Sequence, residues 1–152
     1  MLTVRILIVF IMILICAVSD YKTGYINISV ILFLSILNFV YGILSPNKPG
    51  TDAIWFHLYG VLPGAILLLY SKLKGGIGEG DGYLFIAIGM ILGIEFTVRL
   101  MISSFVLSGL YALYRIKKDK LDRKMTFPFV PFVLAGYLIC TSVEALQLNY
   151  RF

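Results

Sequence analysis

The chain has 152 residues, 60% of them hydrophobic and only 14% charged, with a net charge of +5. Its mean hydropathy is +0.95, and the apolar residues lie in long runs, which excludes an ordinary soluble domain and makes a lipid bilayer the natural solvent. No basic stripe interleaves with aromatics, so a nucleic-acid partner is not expected. His57 is the single histidine and Cys16 and Cys140 lie inside apolar runs, so neither a disulfide framework nor a zinc site has enough ligands.

The first apolar run covers Ile6 to Ser19 and ends at Asp20-Tyr21-Lys22-Thr23-Gly24. With Arg5 ahead of it and Ala17-Val18-Ser19 at its end, it has the features of a cleavable signal peptide. Further spans follow, however, and it reads more simply as the first of a set. A second run extends from about Tyr25 to Leu44 and stops at Ser45-Pro46-Asn47-Lys48-Pro49-Gly50. A third, from about Ala53 to Tyr70, meets a glycine-rich segment that leads to Gly78-Glu79-Gly80-Asp81. Gly82 to Tyr114 is apolar except at Glu95 and Arg99, too long for one span, and is divided near those charges into two. A charged loop, Arg115 to Lys124, precedes a last run from Phe127 to about Leu146. The expected architecture is all-α, a polytopic membrane bundle of about six transmembrane helices with the fourth rather short, forming a single domain over 1–152.

Six spans divide the basic residues unevenly. Lys22, Lys72, Lys74, Arg115, Lys117, Lys118, Lys120, Arg123 and Lys124 share one side, against Arg5, Lys48, Arg99 and Arg151 on the other. The positive-inside rule assigns the richer side to the cytoplasm and both termini to the outside of a cytoplasmic (inner) membrane. Trp55, Phe56 and Tyr59 then fall at the outer interface, and Asp20 and Asp81 at the cytoplasmic ends of their helices.

A lone carboxylate at such a boundary is commonly interfacial or a helix N-cap, and GxGD alone could be a capped glycine turn. Gly78 and Gly80 nevertheless remove side chains beside Asp81 and permit backbone conformations closed to other residues, so an extended peptide can approach the carboxylate. Two carboxylates at one partly desolvated site cannot both ionise easily and titrate as a unit. One member can then take a proton from water while the other donates to a peptide carbonyl. This chemistry requires no metal or cofactor.

Three ordered segments resemble the type IV prepilin peptidase family. Asp20-Tyr21-Lys22-Thr23-Gly24-Tyr25-Ile26-Asn27 is similar to its first aspartate motif. Gly78-Glu79-Gly80-Asp81-Gly82-Tyr83-Leu84 is similar to GxGD followed by x-Lys-Leu, and Phe127-Pro128-Phe129-Val130-Pro131-Phe132 to the proline-containing opening of the last helix. The resemblance implies a membrane aspartic endopeptidase with Asp20 and Asp81 as catalytic pair and Gly78, Glu79, Gly80, Pro128 and Pro131 as support. Its substrate would be a prepilin or pilin-like precursor, whose short basic leader it would remove at the cytoplasmic face. Asn27-Ile28 replaces the common Pro-Asn and Tyr83 the common lysine. The N-terminal cysteine-containing extension associated with N-methyltransferase activity is not in the sequence, so a peptidase-only short form is expected.

Other readings remain open at this level: a small proton-coupled transporter, a non-catalytic pilus or secretion subunit, and a presenilin-type GxGD protease. Glu79 is either a contact for a basic leader or a solvated loop charge. Asp119 and Asp122 would offset the basic face locally. Glu95 and Arg99 are expected to pair across one turn, Asn38 and Glu144 to hydrogen-bond between helices, and Gly60, Pro63 and Gly64 to pack the third helix closely.

Overall fold

A computed structural model describes residues 2–44, 51–75, 78–119 and 127–149. Six helices and no strand occur among them: α1 (Leu2–Thr23), α2 (Ile28–Leu44), α3 (Thr51–Lys74), α4 (Glu79–Leu92), α5 (Ile94–Asp119) and α6 (Val130–Asn149). Residues 45–50, 120–126 and 150–152, with the side chains of Asn38, Phe56, His57 and Asp119, lie outside the description, as do the expectations attached to them.

Glycine sets three of the helix ends. Gly24 and Gly75 each adopt φ 68°, and their N–H groups return to the carbonyls of Asp20 at 2.9 Å and Ser71 at 2.8 Å. Each is a left-handed C-terminal stop. α1 therefore carries Asp20 in its last turn, at the expected helix end. Asn27 begins the next helix by accepting the Ser29 N–H at 3.0 Å, a side-chain N-cap. The long apolar stretch divides near the charges, as expected, and the break itself is Gly93, φ 84°. Charged side chains can project from a continuous helix, whereas a left-handed backbone residue cannot continue it. α5 likewise extends past Tyr114 into the expected loop.

Residue contacts run antiparallel between α3 and α4, between α1 and α6 and between α5 and α6, and α4 sits at the centre. Its buried residues are Asp81, Gly82, Leu84, Phe85, Ala87, Ile88, Gly89 and Ile91, which leave almost no outer face. The other helices carry their apolar residues outward, including Leu7 on α1, Phe33 on α2, Ile66 on α3, Leu110 on α5 and Leu146 on α6. So large an exposed apolar surface calls for an apolar solvent. By length and composition, Val4–Thr23 and Ile94–Lys118 qualify as membrane spans, with shorter apolar helices at Ile28–Leu37 and Val130–Leu146. The arrangement is that of a helical membrane bundle. At 1.5 Å per residue α4 is only about 21 Å long, and it is enclosed by its neighbours.

Lipid offers no hydrophobic driving force between helices, so close backbone packing must hold α4 in place. An added Cβ at Gly60 would strike the Gly89 carbonyl, and one at Gly89 would strike the Gly60 carbonyl; at Gly64 it would meet the backbone of Ile86, and at Gly82 the side chain of Leu68 at 2.8 Å. α3 and α4 thus touch backbone to backbone along their length. On the other side of the bundle the Tyr137 hydroxyl donates to the Ile6 carbonyl at 2.7 Å, tying α6 to α1. Arg99 reaches Glu144 at 3.2 Å and Glu95 at 3.6 Å, linking α5 to α6 as well as closing the expected turn. Partly exposed, these pairs fix position more than they stabilise.

Gly89→Ala is expected to destabilise the bundle by about 1–3 kcal/mol through overpacking. Gly109→Ala, where a Cβ meets nothing within 4 Å, should be neutral or stabilising by up to about 1 kcal/mol. Thermal unfolding of both variants in detergent micelles checks the contrast.

Candidate active site

The end of the bundle that carries the last turn of α1 and the first turns of α4 and α6 holds both aspartates. Asp20 is 8% exposed and Asp81 is 7% exposed, burial that carboxylates tolerate only with hydrogen bonds or a bound proton. Contacts across this end bring its elements together. Asp20 Oδ2 accepts the backbone N–H of Val130 at 3.0 Å, a Cβ on Gly80 would touch Ile26 at 3.0 Å, and Tyr111 packs on Phe127 at 5.8 Å.

Asp81 occupies the third position of α4, ahead of the apolar part that begins at Gly82. Its carboxylate takes a backbone hydrogen bond from Gly78, the residue at the N-cap. This is half of a capping box, in which an acidic side chain at the third position reaches back to the cap N–H. Burial pushes the Asp81 carboxyl up to about 7 from 3.8; the negative charge of Asp20 pushes in the same direction, and the Gly78 hydrogen bond opposes both. Asp20 and Asp81 therefore lie within one another's electrostatic field.

The glycines of the GxGD segment act through space. Gly78 has φ −63° and ψ 133°, which any residue adopts, and neither Gly78 nor Gly80 is among the glycines with positive φ. The expectation of backbone conformations closed to other residues is corrected. At Gly78 a Cβ would stand 3.2 Å from Asp81 Oδ2, and at Gly80 it would press on Ile26. Glycine fits there because the Asp81 carboxylate and the Ile26 side chain, just ahead of α2, stand close to the room a side chain would take.

Glu79 is exposed in the first turn of α4, where its charge complements the helix dipole. Pro131 lies in the first turn of α6 and Pro128 two residues before that helix. Tyr83 is half-buried against the core. Cys16 and Cys140 are free thiols. Among the described residues no three His, Cys, Asp or Glu side chains gather as a metal ion requires. The Val130 N–H is the site group that sequence reasoning missed. A backbone donor has no residue-type signature, and the only pointer to it was the proline-rich opening of α6.

A helical membrane bundle with a buried, electrostatically coupled carboxylate pair at one end defines the class of molecule. A model of the type IV leader peptidase family matches residues 7–113, a stretch that contains both aspartates. The chain belongs to that family. It is also similar to the prepilin leader peptidase/N-methyltransferase of Bacillus subtilis (strain 168), at 27% identity over 130 residues, 84% of this chain and 51% of that protein. The chain thus spans about half the length of this curated relative. No solved structure matches it significantly.

A carboxyl with a raised folded-state pKa binds a proton that the unfolded chain would have released, so its stabilising contribution is present at low pH. It is lost as pH rises from about 4 through about 7. Wild-type protein should lose thermal stability across that window relative to Asp81→Asn, which cannot titrate there. Paired melting curves from pH 4 to pH 8 check the sign.

Proposed function

We propose that this chain is a membrane aspartic endopeptidase that removes the short basic leader of a type IV prepilin or pilin-like precursor. Membership of the leader peptidase family supports the reaction class. The observation that carries the mechanism is the burial of Asp20 and Asp81 within one another's field at one end of the bundle. The relative's printed name joins peptidase and N-methyltransferase. Only the hydrolytic half is proposed here, because acid–base hydrolysis is what two carboxylates supply.

In the proposed reaction the pair holds one proton. A water molecule between the carboxylates gives a proton to the ionised member as its oxygen attacks the scissile carbonyl carbon. The protonated member gives its proton to the carbonyl oxygen, producing a neutral tetrahedral diol. Collapse re-forms the carbonyl as one diol hydroxyl returns its proton to the ionised carboxylate, and it breaks the C–N bond as the other carboxyl gives its proton to the leaving amine, so that the pair again holds one proton. Closure around the extended substrate completes the geometry where the resting site is wider than one water.

The exposed basic residues Lys22, Lys72, Lys74, Lys117 and Lys118 close α1, α3 and α5, at the end of the bundle where both aspartates lie. Under the positive-inside rule that end faces the cytoplasm, with both termini outside an inner membrane crossed several times. A precursor's basic leader would meet Glu79 and the dyad there. The whole chain is proposed to act as one membrane-embedded domain, with the pilin-like precursor and lipid as its partners.

Asp20→Asn and Asp81→Asn should each lower cleavage of a pilin-like precursor by at least about 10²–10⁴-fold while keeping wild-type helicity. Mass spectrometry of precursor incubated with protein in lipid vesicles reads the result. Undiminished cleavage by both variants would rule the dyad out.

A further inference from the structure

The contact between Asp20 and α6 bears on how the Asp20 carboxylate is positioned for the reaction, and the inference drawn from it rests on the peptidase reading above. The first turn of α6 has few donors to offer. Pro131 has no N–H, and the Phe132 and Val133 N–H groups turn back to the Phe129 carbonyl at 2.9 and 3.4 Å. The Val130 N–H points instead out of its helix and donates to Asp20 Oδ2 at 3.0 Å, across 110 residues of sequence. It lies at the positive end of the α6 dipole, whereas Asp20 lies at the negative end of α1.

We propose that the backbone N–H of Val130 is a positioning group for the reaction. It orients the Asp20 carboxylate toward the place where water and the substrate carbonyl would meet the pair. The two aspartates are thereby held by two different helix ends. Asp20 is held across the bundle by α6, and Asp81 by the cap of its own helix α4.

Among the described residues, the ionisable groups around Asp20 lie on α4 and on α1 itself. From α4 comes Asp81, with half-buried Tyr83 and exposed Glu79 on the same turns; from α1, Cys16 one turn below and exposed Lys22. The first turns of α2 and α6 bring no ionisable side chain. Each carboxylate thus accepts one backbone N–H, Asp81 from the cap of its own helix and Asp20 from a different helix.

Three variants of the full chain in lipid vesicles separate this role from packing. Val130→Pro deletes the N–H at a first-turn position where proline fits the backbone. An amide-to-ester replacement at residue 130 deletes it and keeps the valine side chain. Val130→Ala keeps the N–H and reports lost packing alone. Both N–H deletions should lower kcat by about ten- to a hundred-fold beyond Val130→Ala, as loss of a hydrogen bond to a charged group implies, with KM little changed.

The ¹³C chemical shift of the labelled Asp20 carboxyl gives a readout independent of cleavage, and it should change in the ester variant but not in Val130→Ala. An unmoved chemical shift, or an ester variant with the kcat of wild type, would overturn the positioning role. Wild-type protein that cleaves no precursor, while the Asp20 chemical shift still responds to the ester, would overturn the peptidase reading and leave the contact standing.

Discussion

Two carboxylates removed from water within reach of each other's charge form an arrangement that the rest of the bundle must stabilise. Neither can be left unsatisfied at 7–8% exposure, and both cannot easily be ionised together. The fold answers with helix ends. The cap of α4 gives Asp81 a backbone hydrogen bond, the start of α6 gives one to Asp20, and the remaining imbalance appears as a proton held by Asp81 toward neutrality.

Holding those helix ends in place demands packing that lipid does not supply. α4 is short and almost wholly buried, and backbone contact through Gly60, Gly64, Gly82 and Gly89 fixes it against α3. α6 is fixed by the Tyr137 hydroxyl on Ile6 and by Arg99 on Glu144. The aromatic cluster of Phe105, Phe129, Tyr111, Phe127 and Phe132 secures the beginning of α6 beside the site. These contacts lie outside the chemistry, yet they determine where Asp81 and the Val130 N–H stand.

Much of this was legible in the amino-acid sequence, for definable reasons. Long apolar runs report helices because a membrane span needs about twenty apolar residues, and the six runs correspond to α1 to α6. Boundaries were legible to within a few residues. The break between α4 and α5 lies at Gly93, two residues from Glu95, and α1 ends at Gly24 with Asp20 in its last turn. α5, by contrast, continues past Tyr114 into the stretch read as a loop, because charged residues can extend a helix beyond its apolar part. Gly78 and Gly80 drew attention for the right neighbourhood with a partly wrong reason, since the space they leave matters and their dihedrals are ordinary. Asp20 and Asp81 could be nominated as a pair by side-chain type and motif order, but their burial and mutual field come from tertiary packing. The Val130 donor was invisible because a backbone N–H is the same in every residue but proline. Glu144 as a partner of Arg99 lies 45 residues away and follows only from the antiparallel placement of α5 and α6.

The central claim, that Asp20 and Asp81 form one buried and electrostatically coupled pair, is tested most directly by titrating the ¹³C-labelled Asp81 carboxyl in lipid, in wild-type protein and in Asp20→Asn. The account predicts a wild-type midpoint near 7 that falls in the variant as the neighbouring charge disappears, while staying above 3.8 because burial remains. An ordinary carboxylate midpoint in the wild type, or a midpoint indifferent to Asp20→Asn, would contradict it.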